Sequence, residues 1–120
     1  MNVKQYIVID GSETHYYSDR GMTVRHREDG PALERGNGYK AWYINGMLHR
    51  EDGPAIEWGD GCKFWYLGGE LHREDGPAKE DANGYKAWYL NDERHTEEEF
   101  DLRMSPPIEL TLEEIAKKFG

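Results

Sequence analysis

The sequence predicts an all-β fold: an elongated, twisted antiparallel meander of 23-residue hairpin repeats, followed by two short C-terminal helices. Three observations predict it. The heptapeptide His-Arg-Glu-Asp-Gly-Pro-Ala occurs at His26–Ala32, His49–Ala55 and His72–Ala78, each copy 23 residues after the last. The stretches Asn37–Asn45, Asp60–Gly68 and Asn83–Asn91 stand in the same register, each with Lys-x-Trp-Tyr at its centre. Turn-forming Gly, Asn and Asp residues leave room for two strands and two turns per period, too little for helices. A period sustained this long marks a repeat architecture, in which each unit buries its apolar face against its neighbours. The repeats fall at about 10–32, 33–55, 56–78 and 79–95 within a β domain of residues 1–95, with a helical cap at 96–120.

Taken in order, Lys4–Asp10 is β-branched and aromatic and reads as a capping strand that stops at Asp10-Gly11. Ser12–Tyr17 is a degenerate copy of the aromatic strand, with Tyr16-Tyr17 in the place of Trp-Tyr. The middle unit typifies the rest. Pro54–Trp58 is a short strand that opens on proline, where no ladder donor is lost. Gly59-Asp-Gly61 is a three-residue turn, Cys62–Leu67 the aromatic strand, and Gly68-Gly69 a tight hairpin turn matching Asn45-Gly46. After His95 the corner is replaced by Thr96-Glu-Glu-Glu99, a capping box that opens a short helix burying Phe100 and Leu102 and ending at Ser105-Pro-Pro107. Thr111–Glu114 opens a second helix running to Gly120, whose Leu112, Ile115, Ala116 and Phe119 share one face and are expected to cap the open end of the sheet.

Side chains alternate across a strand, so the aromatic strands carry two ladders. Trp42, Trp65 and Trp88 share a face with Ile44, Leu67 and Leu90; Tyr43, Tyr66 and Tyr89 share the other with Ala41, Phe64 and Ala87. The Trp face is the expected core, and the Tyr face is left as a binding surface, since tyrosine is enriched at interfaces. Cys62 occupies the place of Tyr39 and Tyr85, which reads as space filling rather than a nucleophile. The repeated His26, His49 and His72 with their carboxylates lack the short ligand spacing of a zinc site and the roughly 12-residue loop of a calcium site. A structural reading is favoured: Asp caps the turn amides, Arg and Glu pair between neighbouring repeats, and Gly adopts a special φ. No metal or other cofactor is expected.

The 120 residues carry 24 carboxylates against 15 Lys and Arg, for a net charge of -9. That balance opposes direct binding to nucleic acid or an anionic membrane. No stretch approaches the roughly 20 apolar residues of a membrane span, and the N-terminal segment lacks the apolar core of a signal peptide. One cysteine permits no internal disulfide, which fits a reducing compartment. No nucleophile-elbow, phosphate-loop or dinucleotide motif occurs, so a non-enzyme is expected.

The unit Trp65-Tyr-Leu-Gly-Gly-Glu-Leu-His-Arg-Glu-Asp-Gly-Pro-Ala78, preceded by Asp60-Gly61, resembles a variant MORN repeat, a family with units of similar length. The Glu-Asp-Gly-Pro corner departs from that pattern. The chain also resembles small accessory proteins of tailed bacteriophages that carry Leu-His-Arg-Glu-Asp-Gly-Pro-Ala repeats and end in Thr-Glu-Glu-Glu-Phe and a Leu-Thr-x-Glu-Glu-Ile helix, as Thr96–Phe100 and Leu110–Ile115 do here. That resemblance implies an accessory protein made in the host bacterial cytoplasm, and it transfers no catalytic residues.

The expected function is therefore a non-enzymatic protein-binding module, a phage-encoded inhibitor of a bacterial host or defence protein such as a nuclease complex. The expected contact residues are Tyr39, Tyr43, Tyr66, Tyr85 and Tyr89, with Glu97, Glu98 and Glu99. Two alternatives stand beside it. One is sequestration of a small anionic signal nucleotide by Arg27, Arg50 and Arg73. The other is a structural or oligomeric phage component, including a homodimer through an unpaired sheet edge.

Overall fold

The computed structural model describes residues 4–107 and 109–119, the side chain of Phe119 excepted. Strands β1 (Tyr6–Asp10) and β2 (Glu13–Tyr17) form a hairpin that pairs Tyr6 with Tyr17 and Asp10 with Glu13. The first full unit gives β3 (Leu33–Glu34), β4 (Lys40–Ala41), β5 (Tyr43–Ile44) and β6 (Met47–Leu48). The second gives β7 (Ile56–Glu57), β8 (Lys63–Phe64), β9 (Tyr66–Leu67) and β10 (Glu70–Leu71). The third gives β11 (Lys79–Glu80), β12 (Lys86–Leu90) and β13 (Glu93–His95). One nine-stranded antiparallel sheet runs β1-β2-β3-β4-β7-β8-β11-β12-β13, and β5–β6 and β9–β10 form two-stranded ribbons beside it. The all-β meander expected from the period is the fold observed.

The aromatic strand of the first two units divides at its tryptophan. The Trp42 and Trp65 amides donate to Ala55 and Ala78 of the sheet, both at 2.8 Å, while their carbonyls accept from His49 and His72 of the ribbon at 3.0 and 3.1 Å. One residue thus bonds to two different neighbours and passes the chain from sheet to ribbon. The two ribbons are joined by two backbone bonds, Gly69 N–H to the Leu48 carbonyl (2.8 Å) and Arg50 N–H to the Tyr66 carbonyl (3.1 Å).

The turns follow from residue chemistry. Asn45-Gly46 and Gly68-Gly69 have φ of 50° and 80°, and 57° and 84°, the doubly positive geometry that matches strand twist. Asn37, Asp60 and Asn83 accept the amide two residues on, at 3.1, 3.0 and 3.2 Å. Gly59 is required for another reason: a Cβ there would lie 2.1 Å from the Asn37 carbonyl oxygen, so adjacent turns touch through backbone alone.

The molecule is one layer thick. Its extents are 69 × 40 × 19 Å and its radius of gyration is 19.9 Å, against about 14 Å for a compact domain of this length. Burial is correspondingly sparse and falls on small residues. Ala32, Ala41, Ala55 and Ala78 are fully buried, and Leu33, Tyr39 and Ala41 form the core cluster with Tyr43, Leu48 and Ile56 packed against it. The core therefore lies on the Tyr face, not on the Trp face as expected. Trp42, Trp65 and Trp88 are only half-buried, and what covers Trp42 and Trp65 is a guanidinium group rather than a second layer.

Helix α1 (Glu97–Met104) starts at Thr96 with the expected capping box and buries Phe100, but Leu102 is exposed. It packs on β12 and β13 and closes that end of the sheet. Helix α2 (Leu112–Phe119) is capped by Thr111, whose hydroxyl accepts the Glu114 amide at 3.2 Å. It does not do the capping expected of it, since residues 111–118 are all exposed. Its expected terminal contacts, the Phe119 side chain and Gly120, lie outside the described residues.

Candidate binding surfaces and the repeated corner

Each His-Arg-Glu-Asp-Gly-Pro corner builds the same nest around its arginine. Arg50 lies 3.9 Å from the centroid of the Trp42 ring, Arg73 the same distance from Trp65, and Arg27 4.0 Å from Tyr16, which confirms that Tyr16 stands in the Trp position. The Nε atoms of Arg27, Arg50 and Arg73 donate to Asp29, Asp52 and Asp75 at 3.0, 3.0 and 2.8 Å. Their Nη1 atoms donate to the Pro31, Pro54 and Pro77 carbonyls at 3.1, 3.1 and 3.0 Å. The same atoms pair with Glu34, Glu57 and Glu80 of the next unit at 3.9, 3.6 and 3.3 Å, the expected pairing between repeats.

Two details of the corner differ from expectation. Asp29, Asp52 and Asp75 hold arginine rather than turn amides, and the hydrogen bond from Arg73 keeps the Asp75 carboxyl below its ordinary range. Gly30, Gly53 and Gly76 have no positive φ. They are glycine because a Cβ would come 2.9, 3.0 and 2.9 Å from the arginine Cζ of their own corner. The guanidinium is thus packed between ring and backbone.

The corner histidines tie one repeat to the next. Nδ1 of His26, His49 and His72 accepts the Asn45, Gly68 and Asn91 amides at 2.9, 2.8 and 3.0 Å. Nε2 faces Glu28, Glu51 and Glu74 at 3.6, 3.9 and 3.2 Å. Both ring nitrogens are therefore committed within the stack. Among the described residues, no group of three or more His, Cys, Asp or Glu side chains is arranged to hold a metal ion.

Between successive corners the Trp face is grooved. A furrow of about 700 Å³ lies over Trp42 and Ile44 between the Arg27-Glu28-Asp29 and Arg50-Glu51-Asp52 corners, and a second of about 490 Å³ lies over Trp65 and Leu67 one repeat on. Carboxylates outnumber the arginines on both rims, and each arginine already holds an Asp, a carbonyl and a Glu. Arg27, Arg50 and Arg73 consequently have little left to offer an anionic nucleotide, which the rim charge would also repel.

On the opposite face, Tyr43, Tyr66 and Tyr89 form a half-buried row at equal positions of consecutive repeats. Burial, then Asp92 and the neighbouring Tyr43 and Tyr89, push the Tyr66 hydroxyl above its ordinary value. Tyr39 is 8% exposed and belongs to the core cluster, where it meets Trp58 edge-on at 4.6 Å; it is not available for contact. Tyr85 is exposed and its hydroxyl accepts from Arg94 at 2.8 Å. Glu97, Glu98 and Glu99 are exposed in the first turn of α1. Glu97 and Glu99 line a third furrow, of about 330 Å³, with Lys86, Ala87, Trp88, Arg94, His95 and Thr96 and without the tyrosines. The Tyr row and the acidic turn are thus separate surfaces. Cys62 accepts the Ala82 amide at 3.4 Å; that bond lowers its pKa, but partial burial and Asp60 outweigh it and hold the thiol above its usual value.

Sequence reasoning missed the arginine–tryptophan nests and the break in them at Trp88. The signal was the substitution of Thr96 at the register of Arg27, Arg50 and Arg73. No helix among the described residues is long and apolar enough to cross a membrane. Comparison with protein-family models, with curated proteins and with solved structures finds no match to this chain.

Proposed function

We propose that this chain is a non-enzymatic protein-binding module that inhibits a bacterial host or defence protein, and that it acts in the host cytoplasm as a phage accessory protein. The observation that carries the binding reading is the Tyr43–Tyr66–Tyr89 row, which runs over the two ribbons and β12 of a molecule one layer thick. Such a row offers rigid, amphipathic side chains at regular spacing along an elongated surface, which suits recognition of a protein rather than enclosure of a small substrate. The acidic first turn of α1 and the net charge of -9 favour a partner with a basic surface. The inhibitory role and the phage setting are supported by the resemblance in the corner repeats and C-terminal segments.

The test is capture from bacterial lysate with tagged protein, read by mass spectrometry, beside a Tyr43→Ala, Tyr66→Ala, Tyr89→Ala variant and a Glu97→Gln, Glu98→Gln, Glu99→Gln variant. The expected result is one stoichiometric host protein, lost or strongly reduced in at least one variant whose circular dichroism matches the parent. Equal recovery from parent and both variants, or nothing above background, overturns the assignment.

A further inference from the structure

The repeat stops one arginine short. Tyr16, Trp42 and Trp65 each carry a guanidinium from the corner that follows, but at Trp88 the corresponding position is Thr96. Among the described residues no cation lies over the Trp88 ring. The histidine of this fourth corner is also left incomplete. His26, His49 and His72 each accept an amide from the next repeat, whereas His95 has no next repeat to supply one. His95 is 6% exposed, its Nδ1 lies 3.7 Å from Glu99, and its buried Nε2 has no hydrogen-bond partner among the described residues. An orphaned buried ring nitrogen is costly, so its retention beside a half-buried tryptophan calls for a donor from outside.

Both groups line the furrow at the start of α1, with Glu97 and Glu99 on its rim; Lys86 and Arg94 also line it, the Arg94 head donating to the Tyr85 hydroxyl at 2.8 Å. The chemistry repeats the internal nests: an aromatic face for a planar cation, carboxylates for its N–H groups, and here an imidazole nitrogen as well. From this juxtaposition of Trp88, His95, Glu97 and Glu99 we infer that the end of the stack is a recognition site for an arginine side chain of the partner protein, which takes the place that Arg50 and Arg73 take in the interior. The inference rests on the protein-binding reading and names the group that reading must engage. Lysine lacks the planar fork that stacks on a ring while donating in its plane, and it substitutes poorly.

The site can be tested without the partner. Protein labelled with ¹⁵N at tryptophan is titrated with N-acetyl-arginine amide and, separately, with N-acetyl-lysine amide, and the four indole N–H signals are followed by NMR. Trp88 should shift progressively with the arginine probe and several-fold less with lysine. Trp42 and Trp65, already covered, should stay in place. Thr96→Arg supplies the guanidinium from within the chain and should abolish the Trp88 response; Leu102→Arg, which adds a cation at an exposed position of α1 outside the furrow, should retain it. A silent Trp88, an equal response to lysine, or parallel shifts of all indoles overturns the site. Arginine binding with no protein captured from lysate would leave the site standing and remove the host-protein reading. Undiminished capture by Thr96→Arg would do the reverse.

Discussion

At the scale of the residue, the unusual feature is that a charged side chain does the work of a core. Arg50 covers Trp42, satisfies Asp52 and the Pro54 carbonyl, and fills the space that Gly53 leaves. The geometry needs a planar head, so Arg50→Lys should cost about 1–2 kcal/mol, through lost stacking and one or two unmade hydrogen bonds. Gly53→Ala should cost about 1–3 kcal/mol by overpacking, since backbone and guanidinium compete for the same volume. Urea midpoints at unchanged slope would measure both. If Arg50→Lys matches the parent, the stack is ornamental and the corner is held by its backbone alone. Only half of this was legible in the sequence. Recurrence of His-Arg-Glu-Asp-Gly-Pro argued for a structural device, but hydrophobicity placed tryptophan in the core. A ring that binds a cation on one face stays half-buried, and hydrophobicity has no means of anticipating that.

At the scale of the element, the strands are so short that turns and caps carry the specification. Turn chemistry was readable because Asn-Gly and Gly-Gly admit few geometries. The division of the aromatic strand at Trp42 and Trp65 was not, because it depends on which neighbour each amide and carbonyl finds in the stack. Helix α1 was legible from Thr96 and Glu99, while the placement of α2 was not, since an amphipathic pattern does not name what covers it. Thr96→Ala should destabilise the closing helix by about 1 kcal/mol, the ordinary value of an N-cap. Its hydroxyl is also the leading reason the Glu99 carboxyl sits below its ordinary 4.5, ahead of the Thr96 amide and His95. A carboxyl lowered by folding stabilises the native state above its unfolded pKa, and that contribution is lost as pH falls through the lower folded value. NMR titration should therefore show Glu99 protonating below 4.5 in the parent and moving up toward 4.5 in Thr96→Ala. An unmoved Glu99 would mean the capping box does not form in solution.

At the scale of the whole molecule, a sheet one layer thick has no central core to lose, so its stability is a sum of unit and neighbour terms. The bonds from a turn amide to the Nδ1 of the preceding corner's histidine recur at 2.9, 2.8 and 3.0 Å, from Asn45 on His26 to Asn91 on His72. Deleting residues 56–78 joins Ala55 to Lys79, two positions already equivalent to Ala78 and Lys79, and so removes one unit without creating a new interface. The shortened chain should fold. It should lose four strands, two of them from the nine-stranded sheet, shorten by about 10 Å along the stack at roughly 4.8 Å per sheet strand, and fall below the parent radius of gyration of 19.9 Å in small-angle scattering. Its urea slope should drop with the surface no longer buried, and its midpoint should fall because one neighbour term is gone while the capping hairpin and α1 remain. The end site at Trp88 and His95 travels with the closing units, so its response to the arginine probe should persist unchanged. A deletion variant that cannot fold would show that the three corners, alike in sequence, are not interchangeable in energy, and that the core cluster at Leu33, Tyr39 and Ala41 needs the full stack behind it.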